Sequence, residues 1–218
     1  MSFDVLVFSK TTGFRHESIE TGVAAIRRLG ATHGFEVAAT EDSAEFTAAL
    51  PRHQAVIFLS TSGELFDDAQ RAALEAYIRG GGGFVGVHSA STSEVDWPFY
   101  GALVGAYFDW HPEITQATVL VEDADHPATA HLPKAWTRTD EWYNFHTSVR
   151  GRARVLLTLD EDSFVGGTMG EDHPFAWCHE NLGGRAFYTA AGHTHESYAE
   201  EAFLGHLLGG IRYAARAA

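Results

Sequence analysis

Gly81-Gly-Gly-Phe-Val-Gly-Val-His88-Ser89-Ala90 reads as a buried strand that stops abruptly on a polar residue. Gly80 to Gly83 break the helix before it, and Phe84 to Val87 carry no polar side chain. A strand covered on both faces has this character. In open α/β sheets the ligand crevice lies at the carboxyl ends of the strands. Enzymes of this architecture often set a nucleophile there, on a strained strand-to-helix turn. Here the residue is His88, and imidazole can act as base, acid or metal ligand near neutral pH.

The same grammar extends to both sides. Val5–Phe8, Phe35–Ala39, Ala55–Leu59 and Phe84–Val87 are expected strands. Helices are expected over Glu17–Leu29, Glu45–Leu50 and Asp67–Arg79, with Gly30 and Gly34 as stop signals for the first. Strands alternating with helices imply a parallel sheet with right-handed crossovers. After His88 the pattern changes. Thr115–Val121, Arg154–Leu159, Phe175–Cys178 and Arg185–Thr189 are strand-like, and Phe203–Ala214 is a last amphipathic helix. Glu122–His146 reads as irregular, rich in Asp, His and aromatics, and long irregular segments are often functional. No repeat or linker interrupts residues 1–218, which are expected to form a single domain.

Composition narrows the partners. With 15 basic and 29 acidic residues the formal net charge is -14, which disfavours nucleic acid and anionic membranes and suits a small neutral substrate such as a sugar. Self-association into a homo-oligomer is compatible with it. The N-terminus has no basic n-region, and no apolar run approaches the roughly 20 residues of a membrane span. A soluble, cytoplasmic protein is expected. The single cysteine, Cys178, rules out an intrachain disulfide and sits in an apolar strand, where an inert core role is expected.

The chain holds 13 histidines, and their positions matter more than their number. Phe14-Arg15-His16 follows strand one, His88-Ser89 follows strand four, and Gly192-His193 follows the Arg185–Thr189 strand. Parallel strands bring such ends to one edge. Asp140-Glu141-Trp142-Tyr143 adds paired carboxylates beside aromatics, which suggests acid–base work next to a stacking platform. Other signals are weak. The glycine run precedes a strand, so it is no phosphate-binding fingerprint. His126-Pro127 and His173-Pro174 look like turns, and Gly-His-Thr-His lacks the helical spacing of zinc-protease ligands.

Lys10-Thr-Thr-Gly-Phe-Arg-His-Glu-Ser18, Gly81-Gly-Gly-Phe-Val-Gly-Val-His-Ser89, Asp140-Glu-Trp-Tyr143, Pro174-Phe-Ala-Trp177, Gly184-Arg-Ala-Phe-Tyr-Thr189 and Gly192-His193 occur in this order over nearly the whole chain. Together they resemble the ThuA-like (trehalose-utilisation) family. The resemblance implies a flavodoxin-like three-layer α/β fold with a mostly parallel central sheet, akin to class I glutamine amidotransferases. It also implies a link to disaccharide or 3-keto-sugar metabolism. Where those amidotransferases carry a cysteine this chain has His88, so glutaminase chemistry is not expected.

The expected function is cleavage or isomerisation of a disaccharide or 3-keto-glycoside by proton transfer, with a non-enzymatic sugar-binding or regulatory module as the alternative. His88, Glu141, His193 and His16 are the candidate catalytic residues. The same four could hold a divalent metal such as zinc. Arg15, Phe14, Ser89, Asp140, Trp142 and Tyr143 are the candidate substrate contacts, with Arg15 expected to polarise a carbonyl oxygen and Trp142 and Tyr143 to stack on a sugar ring.

Overall fold

The computed structural model describes residues 3–217. Its core is a nine-stranded sheet. Strands β1 (Asp4–Phe8), β2 (Glu36–Thr40), β3 (Ala55–Leu59), β4 (Gly83–Val87) and β11 (Ala186–Thr189) run parallel. Their order, 2-1-3-4 and then the last strand, is that of flavodoxin-like folds. Strands β3 and β4 are buried throughout, as their unbroken apolar runs anticipate.

Helices cover both faces of the parallel half. Helices α1 (Ile19–His33) and α5 (Glu201–Ala214) pack on one face; α2 (Ser43–Ala49), α3 (Asp68–Arg79) and α4 (Pro98–Val104) belong to the other. Phe8, Phe46, Phe58 and Phe66 form a stacked and edge-on aromatic cluster under α2. Caps mark the helix starts. Asp42 accepts from the amides of Ala44 and Glu45, and Asp67 with Gln70 forms a reciprocal capping box.

The first helix runs past Gly30, which the sequence reading took as a stop. Gly30 is needed for packing instead, because a Cβ there would lie 2.6 Å from the carbonyl oxygen of Phe35. The helix ends at Gly34, which adopts φ 78°.

The antiparallel half decides how the last site residues arrive. Strands β10 (Pro174–His179), β9 (Arg154–Asp160), β6 (Thr115–Val121) and β7 (Ala135–Asp140) follow β11, each antiparallel to its neighbour. Four reversals leave β7 pointing the same way as β4, so its carboxyl end, Asp140, emerges at the same edge as His88. β7 also curls toward α5. Trp136 and Arg138 donate to Glu200, just before that helix. β7 occupies part of the Glu122–His146 segment, whose sequence shows no strand pattern. A short ribbon of β5 (Phe108–Trp110) and β8 (Asn144–Phe145) stands beside it. His173-Pro174, read as a turn, instead leads directly into β10. Among the described residues no helix is long and apolar enough to cross a membrane.

Close approach of backbones makes one glycine of β4 sensitive. A Cβ at Gly83 would lie 2.3 Å from the carbonyl oxygen of Ala214, at the end of α5. Overpacking against backbone has no flexible neighbour to yield. Gly83→Ala is therefore expected to cost about 1–3 kcal/mol, read as a lower urea midpoint at unchanged slope. An unchanged midpoint would contradict the packing of α5 on β4.

Candidate active site

The site begins at the end of β4. His88 leaves the strand with φ 52°, a left-handed conformation that non-glycine residues seldom adopt. Such strain persists where surrounding contacts over-determine it, and it concentrates at functional sites. Here the backbone oxygen of His88 accepts from the Tyr188 hydroxyl at 2.8 Å. The ring is fixed as well. Nδ1 lies 2.7 Å from the carbonyl oxygen of Ala190. A carbonyl can only accept, so Nδ1 carries a proton whatever the charge of the ring. Nε2 is thereby turned toward the crevice.

Three groups meet that Nε2. His16 Nε2 lies at 3.1 Å, His193 Nδ1 at 3.2 Å and Glu141 Oε2 at 3.3 Å. His193 Nδ1 is also 3.2 Å from Glu141 Oε2. One ligand atom from each of the four residues falls within 4.8 Å of all the others. The three histidines follow β1, β4 and β11, as their strand-end positions anticipate. Glu141 follows β7 and reaches them because β7 ends at the same edge.

Asp140 does the joining. It is fully buried and paired with Arg138 at 2.5 Å. Its oxygens accept from the amides of Gly192, His193 and Glu141 and from the Ser197 hydroxyl. One carboxylate thus binds the end of β7 to the loop after β11. Burial pushes its pKa up, but Arg138 and the surrounding donors outweigh this and hold it below the usual carboxylate value. Asp140 is a positioning residue; with its oxygens so occupied it offers no surface for the substrate contact expected from sequence.

Two further expectations need correction. Trp142 is fully buried, packs against Phe175 and Phe164, and donates its indole N–H to the carbonyl oxygen of Thr115. It cannot stack on a ligand. Alternation explains this: when Glu141 faces the cluster, the next side chain turns into the core. Tyr143 does reach the site, but as a wall. Its ring lies 4.2 Å from His88 and 4.3 Å from Phe108, with almost no free face. His173 supports it by donating Nε2–H to the Tyr143 carbonyl at 2.9 Å.

The remaining candidates divide. Ser89 is buried with Oγ 3.2 Å from His16 Nδ1. Phe14 is 70 % exposed and sits edge-on to His16 at 4.8 Å. Arg15 is engaged elsewhere, by Glu20 at 2.8 Å and Glu41 at 2.9 Å. It is therefore not the free cation expected to polarise a carbonyl. His111 is a residue the sequence reading missed. Its Nδ1 lies 3.1 Å from Glu141 Oε1, the carboxylate oxygen turned away from His88. Nothing local to His111 signals this, since its partner is thirty positions away. Cys178 is buried, and burial raises its thiol pKa. It pairs with Phe187, two positions before Thr189 at the site end of β11, so it plays no part in the cluster.

Charge explains what the cluster can hold. Burial and the neighbouring His88 and His193 push the His16 pKa down to about 3. For His193 burial acts downward, but the bond to Glu141 prevails and raises it. For Glu141 burial acts upward, but bonds to His193 and His88 hold it far below the usual carboxylate range. A bare Nε2 lone pair facing an ionised carboxylate is repulsive. The Nδ1 proton of a protonated His193, 3.2 Å from both groups, or a metal cation relieves it. Three imidazole nitrogens and one carboxylate are the donor set of zinc sites, with zinc–ligand distances of about 2.0–2.2 Å. Tetrahedral ligands at that radius stand roughly 3.3 Å apart; the four separations given above match this, and the two from His16 to His193 and Glu141 lie within 4.8 Å. The residues present fit such an ion.

The comparisons agree on the fold. The profile of the family described as "ThuA: Trehalose utilisation" matches residues 4–214. A ThuA-like protein from Bacteroides uniformis superposes with a TM-score of 0.83 at 24% identity, covering 97% of this chain and 91% of that one. A second, from Parabacteroides merdae, gives 0.78 at 19% identity, with 99% and 90% covered. The β-galactosidase from Bacillus circulans sp. alkalophilus is similar at 0.62 and 14% identity over 95% of this chain but only 30% of its own. No curated protein matches the sequence.

Two outcomes follow from this geometry. Asp140→Asn leaves the buried Arg138 with Glu200 as its remaining carboxylate partner, and breaking a buried ion pair from one side typically costs about 3–5 kcal/mol. The expected result is a fall of that size in unfolding free energy; a loss under 1 kcal/mol would contradict the joining role. The second concerns pH in chelator-treated protein. An unfolded histidine takes a proton below about 6.5, whereas His16 in the fold resists until about 3. More protons bind the unfolded chain in that window, so stability falls as pH drops from 6.5 toward 3. His193, raised by Glu141, acts oppositely: its contribution is full below about 6.5 and fades as pH rises through its folded value. His16→Gln should flatten the acid slope of stability between pH 6.5 and 4, measured by urea unfolding. An unaltered slope would contradict a neutral buried His16.

Proposed function

The chain belongs to the ThuA family, and from that premise we propose that it is an enzyme that cleaves or isomerises a disaccharide or 3-keto-glycoside by moving a proton beside a carbonyl group. The observation that carries the reading is the meeting of His88 Nε2, His193 Nδ1 and Glu141 Oε2 within 3.3 Å of one another. A single buried histidine is commonly structural. Two imidazoles and a carboxylate aimed at one point, on strand ends, are an acid–base arrangement.

A carbonyl at carbon 3 of a sugar acidifies the hydrogen on carbon 2. His88 Nε2, with Nδ1–H held by Ala190, is the lone pair that takes this proton. The electron pair of the broken C–H bond becomes a double bond between carbons 2 and 1, and the bond from carbon 1 to the glycosidic oxygen breaks. His193, favoured in its protonated form by Glu141, gives its proton to the departing oxygen. Glu141 stays ionised and balances the charge that passes between the imidazoles. Returning the proton to the same carbon, or to its neighbour, gives isomerisation instead of cleavage. A divalent cation bound by His16, His88, Glu141 and His193 would take up these same nitrogens and would supply Lewis acidity at the carbonyl oxygen, the task first expected of Arg15, in place of this acid–base pair.

Solvent exchange tests the reading. In deuterated water the protein should exchange the carbon-2 hydrogen of a 3-keto-glycoside, followed by proton NMR. His88→Ala should lower the exchange rate at least 100-fold while the protein stays folded. Absence of exchange by the wild type both with and without bound metal, with the sugar nonetheless bound, would contradict catalysis and favour a sugar-binding module. Exchange that survives His88→Ala within a few-fold would make His88 structural.

A further inference from the structure

The loop after β1 is built more rigidly than an exposed loop requires. Thr11 bridges to Ser62, the amides of Thr12 and Gly13 point to the Ser62 carbonyl, and the Ser62 hydroxyl donates to the Phe14 carbonyl at 2.6 Å. The Thr12 hydroxyl donates to the Glu64 carbonyl at 2.9 Å. This scaffold fixes a phenyl ring that remains 70 % exposed, edge-on to His16. Ile114, 47 % exposed, lines the same cavity of about 430 Å³, which opens from His16 and His193. Scattered apolar residues on a surface need no explanation, but two beside a cluster of convergent polar groups mark a ligand site.

The rest of the lining includes polar and acidic groups. Glu17, Thr194, His195 and Glu196 contribute to it. Arg15 adds no net positive charge, since its guanidinium is shared between Glu20 and Glu41. Carboxylates and a hydroxyl accept and donate well to sugar hydroxyls. They repel phosphate and carboxylate, and among the described residues no arginine or lysine other than the engaged Arg15 lines the cavity; the start of α1 at Ser18 also lines it, but Glu17 and Glu20 stand there and offset its positive end.

We infer that this cavity is the saccharide subsite, that Phe14 is its stacking platform in place of Trp142 and Tyr143, and that it selects uncharged saccharides against phosphorylated or acidic ones. The inference rests on the proposed function for the class of ligand, not for the chemistry. One face of a pyranose presents a patch of C–H groups, and placing it on Phe14 removes apolar surface from water. Hydroxyls on the ring edge then face Glu17, Thr194 and Glu196. A phosphate or uronate carboxylate on that edge would meet like charge.

Equilibrium binding by calorimetry at low salt decides it, with chelator-treated protein and four probes: trehalose, trehalose 6-phosphate, a methyl 3-keto-glucoside and a methyl glucuronide. The uncharged pair should bind at least tenfold more tightly than the charged pair. Phe14→Ala should weaken the uncharged pair about tenfold with melting unchanged, whereas Phe14→Tyr should hold within threefold. Glu17→Gln with Glu196→Gln should narrow the charge preference to within threefold. Equal or tighter binding of the anionic sugars, unchanged affinity in Phe14→Ala, or no binding of any probe would overturn the inference. Uncharged sugars that bind without carbon-2 exchange would leave it standing and refute the catalytic reading. Exchange without charge preference would do the reverse.

Discussion

The buried carboxylate of Asp140 is the interaction on which the site depends. It stands where the antiparallel half of the sheet returns to the edge of the parallel half. By accepting from the amides of Glu141, Gly192 and His193 it sets two site residues relative to each other. Arg138 compensates its charge and ties the pair to Glu200 and Ser197. Isolated, a buried charge would cost several kcal/mol. Surrounded by a guanidinium, three amides and a hydroxyl, it becomes a rigid joint between chain segments some fifty residues apart.

His88 is the other fixed point. Its backbone is strained and its ring is oriented by a carbonyl, so a lone pair or a proton is presented to Glu141 with little freedom to turn away. Preorganisation of this kind removes the need to reorder dipoles when charge moves. His111 extends the arrangement outward by occupying the second oxygen of Glu141.

Much of this was legible in the sequence, for reasons that also mark its limits. Apolar runs ending on His88 and near His193 announce buried parallel strands, and parallel strands share an edge, so their ends can be placed together without coordinates. β7 escaped because its inward positions are Trp136, Arg138 and Asp140. Two of the three are charged, and a period-two hydrophobic signal vanishes when an ion pair fills the inward face. The same blindness made Asp140 look like a ligand contact. Trp142 was misread because an aromatic beside a carboxylate looks like a platform until the strand's phase is known. Phe14 was identified as a contact, yet only the stapling of its loop to Ser62 distinguishes a built platform from a stray exposed ring.

The central claim is that His88 presents Nε2, not Nδ1, to a proton or cation shared with Glu141. Long-range nitrogen–proton NMR correlations of the histidine rings read this directly in the folded protein at neutral pH. The account predicts a His88 ring protonated at Nδ1, with an Nε2 nitrogen shift that responds to zinc or to Glu141→Gln. A His88 ring protonated at Nε2 alone, indifferent to both, would contradict it.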